Sequence, residues 1–271
     1  MARPKRRLRQ LARGLIGPGL GVRRQWTRGV RAGFVNYRVI DRLVRPGMVA
    51  VDVGASTGTF SMRMLQLVGH TGHVYAIEPH PCYEQSLALI RRHNPHFTYF
   101  LVGASDQEGL GKLMTPTHEG TPHRGLSSFR SASNRGGAVL LEVPLKRIDD
   151  LIGERTPVAF VKIDVEGYEL AVLAGARRMF ESRPTTLIEI EQRHHASPIT
   201  EVFDEFRKMG YEGWALFERG LRPIDAFDIG RDQERFLTDD FQDFMPRLYV
   251  NDFLFMENGA CPPTELMDPV S

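Results

Sequence analysis

The chain predicts an α/β fold: a doubly wound, mostly parallel sheet with helices on both faces. Three observations lead there. Val49-Ala50-Val51-Asp52-Val53 runs into Gly54-Ala55-Ser56-Thr57-Gly58, after which Phe60, Met64, Leu65, Leu67 and Val68 recur at helical spacing. A buried strand therefore turns through glycine into a helix. His73-Val74-Tyr75-Ala76-Ile77 is a second strand one βαβ step on, ending in Glu78-Pro79. Val158 to Ile163 is another, ending in Asp164-Val165-Glu166-Gly167 before a helix with Leu170, Leu173, Ala174 and Met179. In such a sheet the carboxyl ends of the strands form the ligand crevice, so Asp52, Glu78, Asp164 and Glu166 are expected to face one site.

The glycine turn narrows the ligand. A dinucleotide site uses G-x-G-x-x-G to hold a pyrophosphate on backbone amides. Here Gly54 and Gly58 give G-x-x-x-G, with Asp52 just before them. A carboxylate there repels phosphate and suits a cation. S-adenosylmethionine (SAM) carries an ammonium and a sulfonium and no phosphate, so the turn favours SAM over NAD. Glu78 follows Asp52 by 26 residues, where an acid accepts ribose hydroxyls. Asp106, after a third strand from Phe97 to Val102, is a candidate acceptor for the adenine amino group. The competing readings are a solvated strand-end acid for Glu78 and an ordinary turn aspartate for Asp106.

At 271 residues and 42% apolar, the chain is long enough for one large core. Cys82 and Cys261 are far apart and form no disulfide framework, which suits a cytoplasmic location. No uncharged apolar run approaches the roughly 18 residues of a membrane span, so a soluble protein is expected.

The net charge of +2 conceals an asymmetry: residues 1–45 hold 13 Lys or Arg and a single acid, Asp41. Leu8, Leu11, Leu15 and Ile16 lie at helical spacing among six bases, the pattern of a segment that rests on an anionic membrane face. Nucleic acid competes for the same charges, and a solubilising tail is the plain alternative. Arg13 interrupts the apolar stretch and no small-residue cleavage site follows, so a secretory leader is not expected. After Gly17-Pro18-Gly19, the residues Trp26, Val30, Phe34, Tyr37, Ile40, Leu43 and Val44 predict a helix that packs on the sheet or covers the pocket. The expected organisation is a basic arm and packing helix over 1–44, one domain over 45–256 and a frayed tail over 257–271.

Further along, Tyr83, Leu87 and Ile90 mark a helix. Residues 107–137 are rich in Gly, Ser, Thr and His and read as a long insertion of the substrate-loop or lid type, without zinc-ligand spacing. Ala138 to Leu145 returns to strand, and Arg147 to Leu151 is a helical turn. Thr185 to Ile190 is a strand with Glu189 and Glu191 near its end and His194-His195 beyond. A helix over Ile199 to Met209 precedes strands at Tyr211 to Phe217 and Leu221 to Ile224. The charged segment 225–244 has no clear pattern, and Arg247 to Met256 is the last strand.

Together, Arg45-Pro46-Gly47-Met48-Val49-Ala50-Val51-Asp52-Val53-Gly54-Ala55, Glu78-Pro79, Ala104-Ser105-Asp106, Ile148-Asp149-Asp150-Leu151 and Val161-Lys162-Ile163-Asp164-Val165-Glu166-Gly167-Tyr168-Glu169 resemble the FkbM family of SAM-dependent methyltransferases over about residues 45–256. The resemblance implies a Rossmann-like class I fold, a seven-stranded sheet with an antiparallel last strand, and O-methylation of sugar or natural-product hydroxyls. It implies that Asp52, Gly54 and Gly58 form the first SAM motif, that Glu78 is the ribose acid and that Asp106 is the adenine contact. Ser56-Thr57 departs from the Asn-Thr pair common in the family, although Ser56 still donates and accepts.

A neutral alcohol must lose its proton as it attacks the methyl group, and the candidate bases are Asp164, Glu166, Glu189, Glu191, His194 and His195. Position favours Asp164, which also lies beside the methionine part of SAM, with Glu166 next. His194 is favoured by the neutral titration of imidazole. The acids could instead bind Mg2+, but no ligand set is convincing and no metal is expected. A small-molecule or glycan acceptor is expected. Nucleic acid is disfavoured, because no N/D-P-P-Y motif is present and the bases beyond the arm are scattered. A nucleic-acid methyltransferase using the basic arm and a non-catalytic SAM- or nucleotide-binding scaffold are the alternatives.

Overall fold

Short apolar strands that end in glycine turns build two helix-covered faces, and the computed structural model describes residues 35–118, 121–122, 127–129, 138–237 and 248–269. In chain order the elements are α1 (Val35–Leu43), β1 (Val49–Val53), α2 (Thr59–Val68), β2 (His73–Ile77), α3 (Glu84–His93), β3 (Phe97–Phe100), β4 (Gly103–Ala104), β5 (Gly109–His118), β6 (Thr121–Pro122), β7 (Ala138–Lys146) and α4 (Ile148–Leu151). Then come β8 (Val158–Ile163), α5 (Glu169–Ala174), β9 (Thr185–Glu189), α6 (Thr200–Lys208), β10 (Tyr211–Phe217), β11 (Gly220–Pro223), α7 (Ile229–Asp232) and β12 (Asp252–Glu257).

The main sheet has the order β11-β10-β12-β9-β8-β1-β2-β3. The pairs from β9 through β3 are parallel, and β12 is antiparallel to both β9 and β10. This is the expected Rossmann-like, mostly parallel sheet with its antiparallel last strand. It gains an eighth strand, because β11 folds back on β10 as a hairpin. Strand order reverses between β1 and β8, which places a crevice at the carboxyl ends of those two strands.

Alternation divides the core into two layers. Val51, Val53, Val161 and Ile163 point to a layer completed by Val172 and Leu173 of α5 and Val202, Phe203 and Phe206 of α6. Ala50, Phe160, Leu187 and Leu254 point to the other, with Val39 and Ile40 of α1, Met64 and Val68 of α2, and Leu87 and Ile90 of α3. Helix α1 is thus a core element, and its Tyr37 also reaches the cavity described below.

Four readings are corrected. The third strand stops at Phe100, and the last begins at Asp252 rather than Arg247. The insertion is not an unpatterned loop: β5 pairs with β7 from Gly109↔Leu145 to Pro116↔Ala138, in a second sheet of order β4-β7-β5-β6. Its polar composition hides strands whose apolar side is narrow, carried by Leu113, Val143 and Leu145. The frayed tail is also corrected: Leu266 is fully buried, Met267 bridges to Leu221, and Arg222 Nε donates to Asp268 Oδ2 at 2.6 Å. Apolar residues anchor this stretch too sparsely for the sequence pattern to reveal it. No described helix is long and apolar enough to cross a membrane. Residues 1–34 of the basic arm lie outside the described residues.

Leu266 should therefore behave as core. Leu266→Ala is expected to lower stability in urea denaturation by about 2–4 kcal/mol, and Leu110→Ala, at a position 68% exposed, by less than about 0.5 kcal/mol.

Candidate functional site

The floor of the crevice depends on one missing side chain. Gly54 follows β1 at φ 81°, and a Cβ there would lie 1.8 Å from the carbonyl oxygen of Asp164. The register Val53↔Ile163 brings the two strand ends level, so the turn after β1 and the turn after β8 are pressed together. Gly58 at φ 79° precedes α2, where a Cβ would meet Ile90 Cδ1 at 2.4 Å. Of the three described non-glycine residues with positive φ, Ser56 (49°) and Glu166 (51°) both line this cavity. Such conformations cost free energy and cluster where a site requires them.

Asp52 lies fully buried beneath the turn. Ser61 Oγ donates to its Oδ2 at 2.5 Å, while Oδ1 is buried without a hydrogen-bond partner among the described residues. Burial raises its pKa, against the neighbouring Lys162. Glu78, at the end of β2, is held by two backbone donors: Ser56 N–H to Oε2 and His80 N–H to Oε1, each at 2.8 Å. Burial nevertheless pushes its pKa up to about 7.

A charged row that sequence reasoning missed crosses the sheet on the α1 side. Four neighbouring strands that send an apolar residue into that layer carry a charged residue two positions nearer the crevice: Asp52 on β1, Lys162 on β8, Glu189 on β9 and Asp252 on β12. Lys162 Nζ lies 2.8 Å from Asp164 Oδ2 and 4.5 Å from the centre of the Phe60 ring. Burial opposes its charge, but Asp164, Asp52 and Glu189 outweigh that, and its pKa is raised. Burial also raises Glu189 well above the carboxylate range and Asp252 to about 7. Asn36 Nδ2 of α1 donates to Asp252 Oδ2, and Asn251 Nδ2 donates to Glu189 Oε1. Lys162 was hidden in the sequence because a lone lysine in Val-Ala-Phe-Val-Lys-Ile reads as a solvent-facing strand position.

The cavity is lined by Gly54, Ser56, Glu78, Asp164 and Glu166, so five of the expected site residues come together. Asp52 and Gly58 shape it from beneath and do not line it. His194 does not line it either, but its Nε2 is 2.6 Å from Glu166 Oε2, and burial raises the pKa of Glu166 against the effect of His194. His195 pairs instead with Glu169, at 2.9 Å. Glu191, 2% exposed, is held by Arg193 and by the Tyr249 hydroxyl at 2.8 Å. Glu166, Glu191 and His194 bring three potential metal-ligand atoms within 4.8 Å of one another. With Glu191 already engaged by Arg193 and Tyr249, these side chains read as a hydrogen-bonded ion-pair network.

Asp106 stands apart from the cavity. Ser105 N–H donates to the Lys146 carbonyl at 2.9 Å, and β4 pairs with β7, so the chain leaves the main sheet before Asp106. Asp106 is exposed at the foot of the second sheet, accepts from Ser105 Oγ at 3.1 Å and does not line the cavity.

The residues fit a cationic nucleoside cofactor. Asp52 Oδ1 is a buried acceptor in need of a donor, the Gly54 turn admits close approach to backbone, and Glu78 presents a fixed carboxylate at the adjacent strand. The family model described as "Methyltransferase FkbM domain" matches residues 52–212, more than half of the chain. The protein belongs to the FkbM methyltransferase family. Among solved structures it is similar to an FkbM methyltransferase from Methylobacillus flagellatus, at 18% identity and TM-score 0.45 over 82% of this chain and 50% of that one. It is also similar to Aeropyrum pernix fibrillarin in complex with SAM, at 13% identity and TM-score 0.42 over 79% of this chain and 68% of that one. A third is a SAM-dependent O-methyltransferase from Thermotoga maritima, at 11% identity and TM-score 0.40 over 85% and 66% of the two chains. The chain spans half the length of the Methylobacillus protein. No curated protein matches it.

Two outcomes are expected. Gly54→Ala should cost more than about 2 kcal/mol of stability, since it adds both a backbone clash and strain at positive φ. Glu78 carries a pH signature. Its carboxyl is raised from 4.5 to about 7 in the folded protein, so its contribution is fully present below pH 4.5 and is lost as pH rises through 7. The stability of wild type relative to Glu78→Gln should thus fall by on the order of 2 kcal/mol between about pH 5 and pH 8.5, as read from urea denaturation without cofactor.

Proposed function

We propose that the protein transfers a methyl group from SAM to a hydroxyl of a sugar, glycan, glycolipid or natural-product acceptor. The observation that carries this reading is the convergence on one cavity of the Gly54 turn over buried Asp52, the doubly held Glu78 and the acid turn Asp164–Glu166. When bound, SAM supplies an electrophilic methyl on a sulfonium, and the acids beneath β1 and β8 match its positive charges. Glu78 accepts the ribose hydroxyls. Lys162 holds Asp164 by one oxygen and so fixes its orientation at the cavity wall.

The proton of the attacking hydroxyl passes to a carboxylate of the acid turn. Asp164 stands at the end of β8, and Glu166 lines the cavity with His194 behind it at 2.6 Å, where the imidazole can share the proton. Orientation of the hydroxyl in line with the sulfur supplies much of the rate. The described lining of the cavity carries the acids Glu78, Asp164 and Glu166 and no Lys or Arg. That excess disfavours phosphate-bearing acceptors and supports a neutral polyol over nucleic acid. The basic arm supplies attraction to an anionic membrane face, where lipid-linked glycans would be within reach.

Calorimetric titration tests the cofactor. SAM is expected to bind at micromolar concentration and NAD not at all. Asp52→Ala should weaken SAM by about tenfold or more, because the glycine turn loses the buried acid that supports it from beneath. With radiolabelled SAM, methyl incorporation into neutral glycosides but not RNA is expected; incorporation into RNA, or no binding of SAM, contradicts the reading.

A further inference from the structure

The cavity has two ends, and the second sheet closes one of them. Phe60, stacked over Lys162, and Tyr37 stand at the end near the acids of β1 and β8. Glu78 stands at the neighbouring β2. Beyond it, the wall is made by Pro79, Gly103 and Ala104 and by Leu113, Ser127 and Phe129. With the cationic part of SAM at the acids and the ribose on Glu78, the adenine falls at this outer end.

Residues 127–129 are fastened there from three sides. Met114 and Ser128 exchange backbone hydrogen bonds at 2.8 and 2.9 Å. Ser128 Oγ donates to the Glu166 carbonyl at 2.5 Å, and the Phe129 ring lies 5.1 Å from that of Tyr168. A Cβ on Gly103 would come within 2.5 Å of Phe129 Cζ, so glycine at β4 is what lets the ring in. Thr115 and Ser127 place their hydroxyls 2.8 Å apart, with Ser127 on the cavity wall.

We propose that the arm built from β5, β7 and residues 127–129 is a cofactor clamp: Leu113 and Phe129 grip the adenine by apolar contact, and the Ser127 hydroxyl, backed by Thr115, reads its 6-position. The proposal rests on SAM being the cofactor. It assigns the described part of the insertion to the cofactor rather than to an acceptor lid, and it leaves Asp106 without a role in adenine recognition. A hydroxyl donates and accepts, whereas a carboxylate only accepts. A clamp with Ser127 therefore tolerates a 6-oxo purine, which an aspartate would repel.

Calorimetry with S-adenosylhomocysteine (SAH) and its 6-oxo analogue S-inosylhomocysteine, on the full chain, tests this without an acceptor. Wild type is expected to bind the two within about tenfold of each other, and Ser127→Ala to weaken SAH about three- to tenfold, the range of one neutral hydrogen bond. Phe129→Ala should weaken SAH by about tenfold or more, and Asp106→Ala by less than about twofold. Thermal melts establish folding, and Ser127→Ala, which keeps the Met114–Ser128 bridge, carries the test if Phe129→Ala unfolds. SAH binding that is unchanged in Ser127→Ala and lost in Asp106→Ala overturns the clamp and leaves the cofactor reading standing. Rejection of the 6-oxo analogue by more than about a hundredfold overturns the Ser127 assignment. Failure of wild type to bind SAH overturns both the clamp and the cofactor reading.

Discussion

The close approach of Gly54 to the Asp164 carbonyl is the constraint on which the rest of the site depends. Any Cβ at Gly54 would occupy the space of that oxygen, 1.8 Å away. Because the two turns touch, acids that leave different strands more than eighty residues apart converge on one cavity. The strand order supplies the opportunity, since the crevice opens where β1 meets β8, but the contact between the turns sets its depth.

That geometry gathers more negative charge than burial tolerates alone. Asp52, Glu78, Glu189 and Asp252 are all pushed upward by burial, and Lys162 is the fixed cation among the row that spans β1 to β12. A folded protein keeps such groups when a ligand uses them, because unpaired buried acids lower stability in the free state. A cofactor bearing two cationic centres offsets the same excess on binding. The electrostatics of the free protein and the chemistry of the family thus point the same way.

The sheet and half of the site were legible because they rest on local signals. The apolar run into Gly54, the acid after His73–Ile77 and the Asp164–Glu166 turn each announce a strand end, and parallel topology then brings strand ends together. What was not legible depends on contacts distant in sequence. Lys162 looks like an exposed position until Asp52 and Glu189 are placed beside it. Asp106 follows the right strand but leaves with the second sheet. The stretch Gly109–His118 carries Gly, Pro and Thr, and becomes a strand only because Ala138–Lys146 pairs with it. Leu266 gives no periodic signal, because its partners lie on elements far back in the chain.

A crystal structure of the protein with SAH tests the central claim most directly. The account predicts the ribose hydroxyls within hydrogen-bond distance of the Glu78 carboxylate, with the sulfur above the Gly54 turn beside Asp164. A ligand bound away from Glu78, or a cavity left empty under saturating SAH, would contradict it.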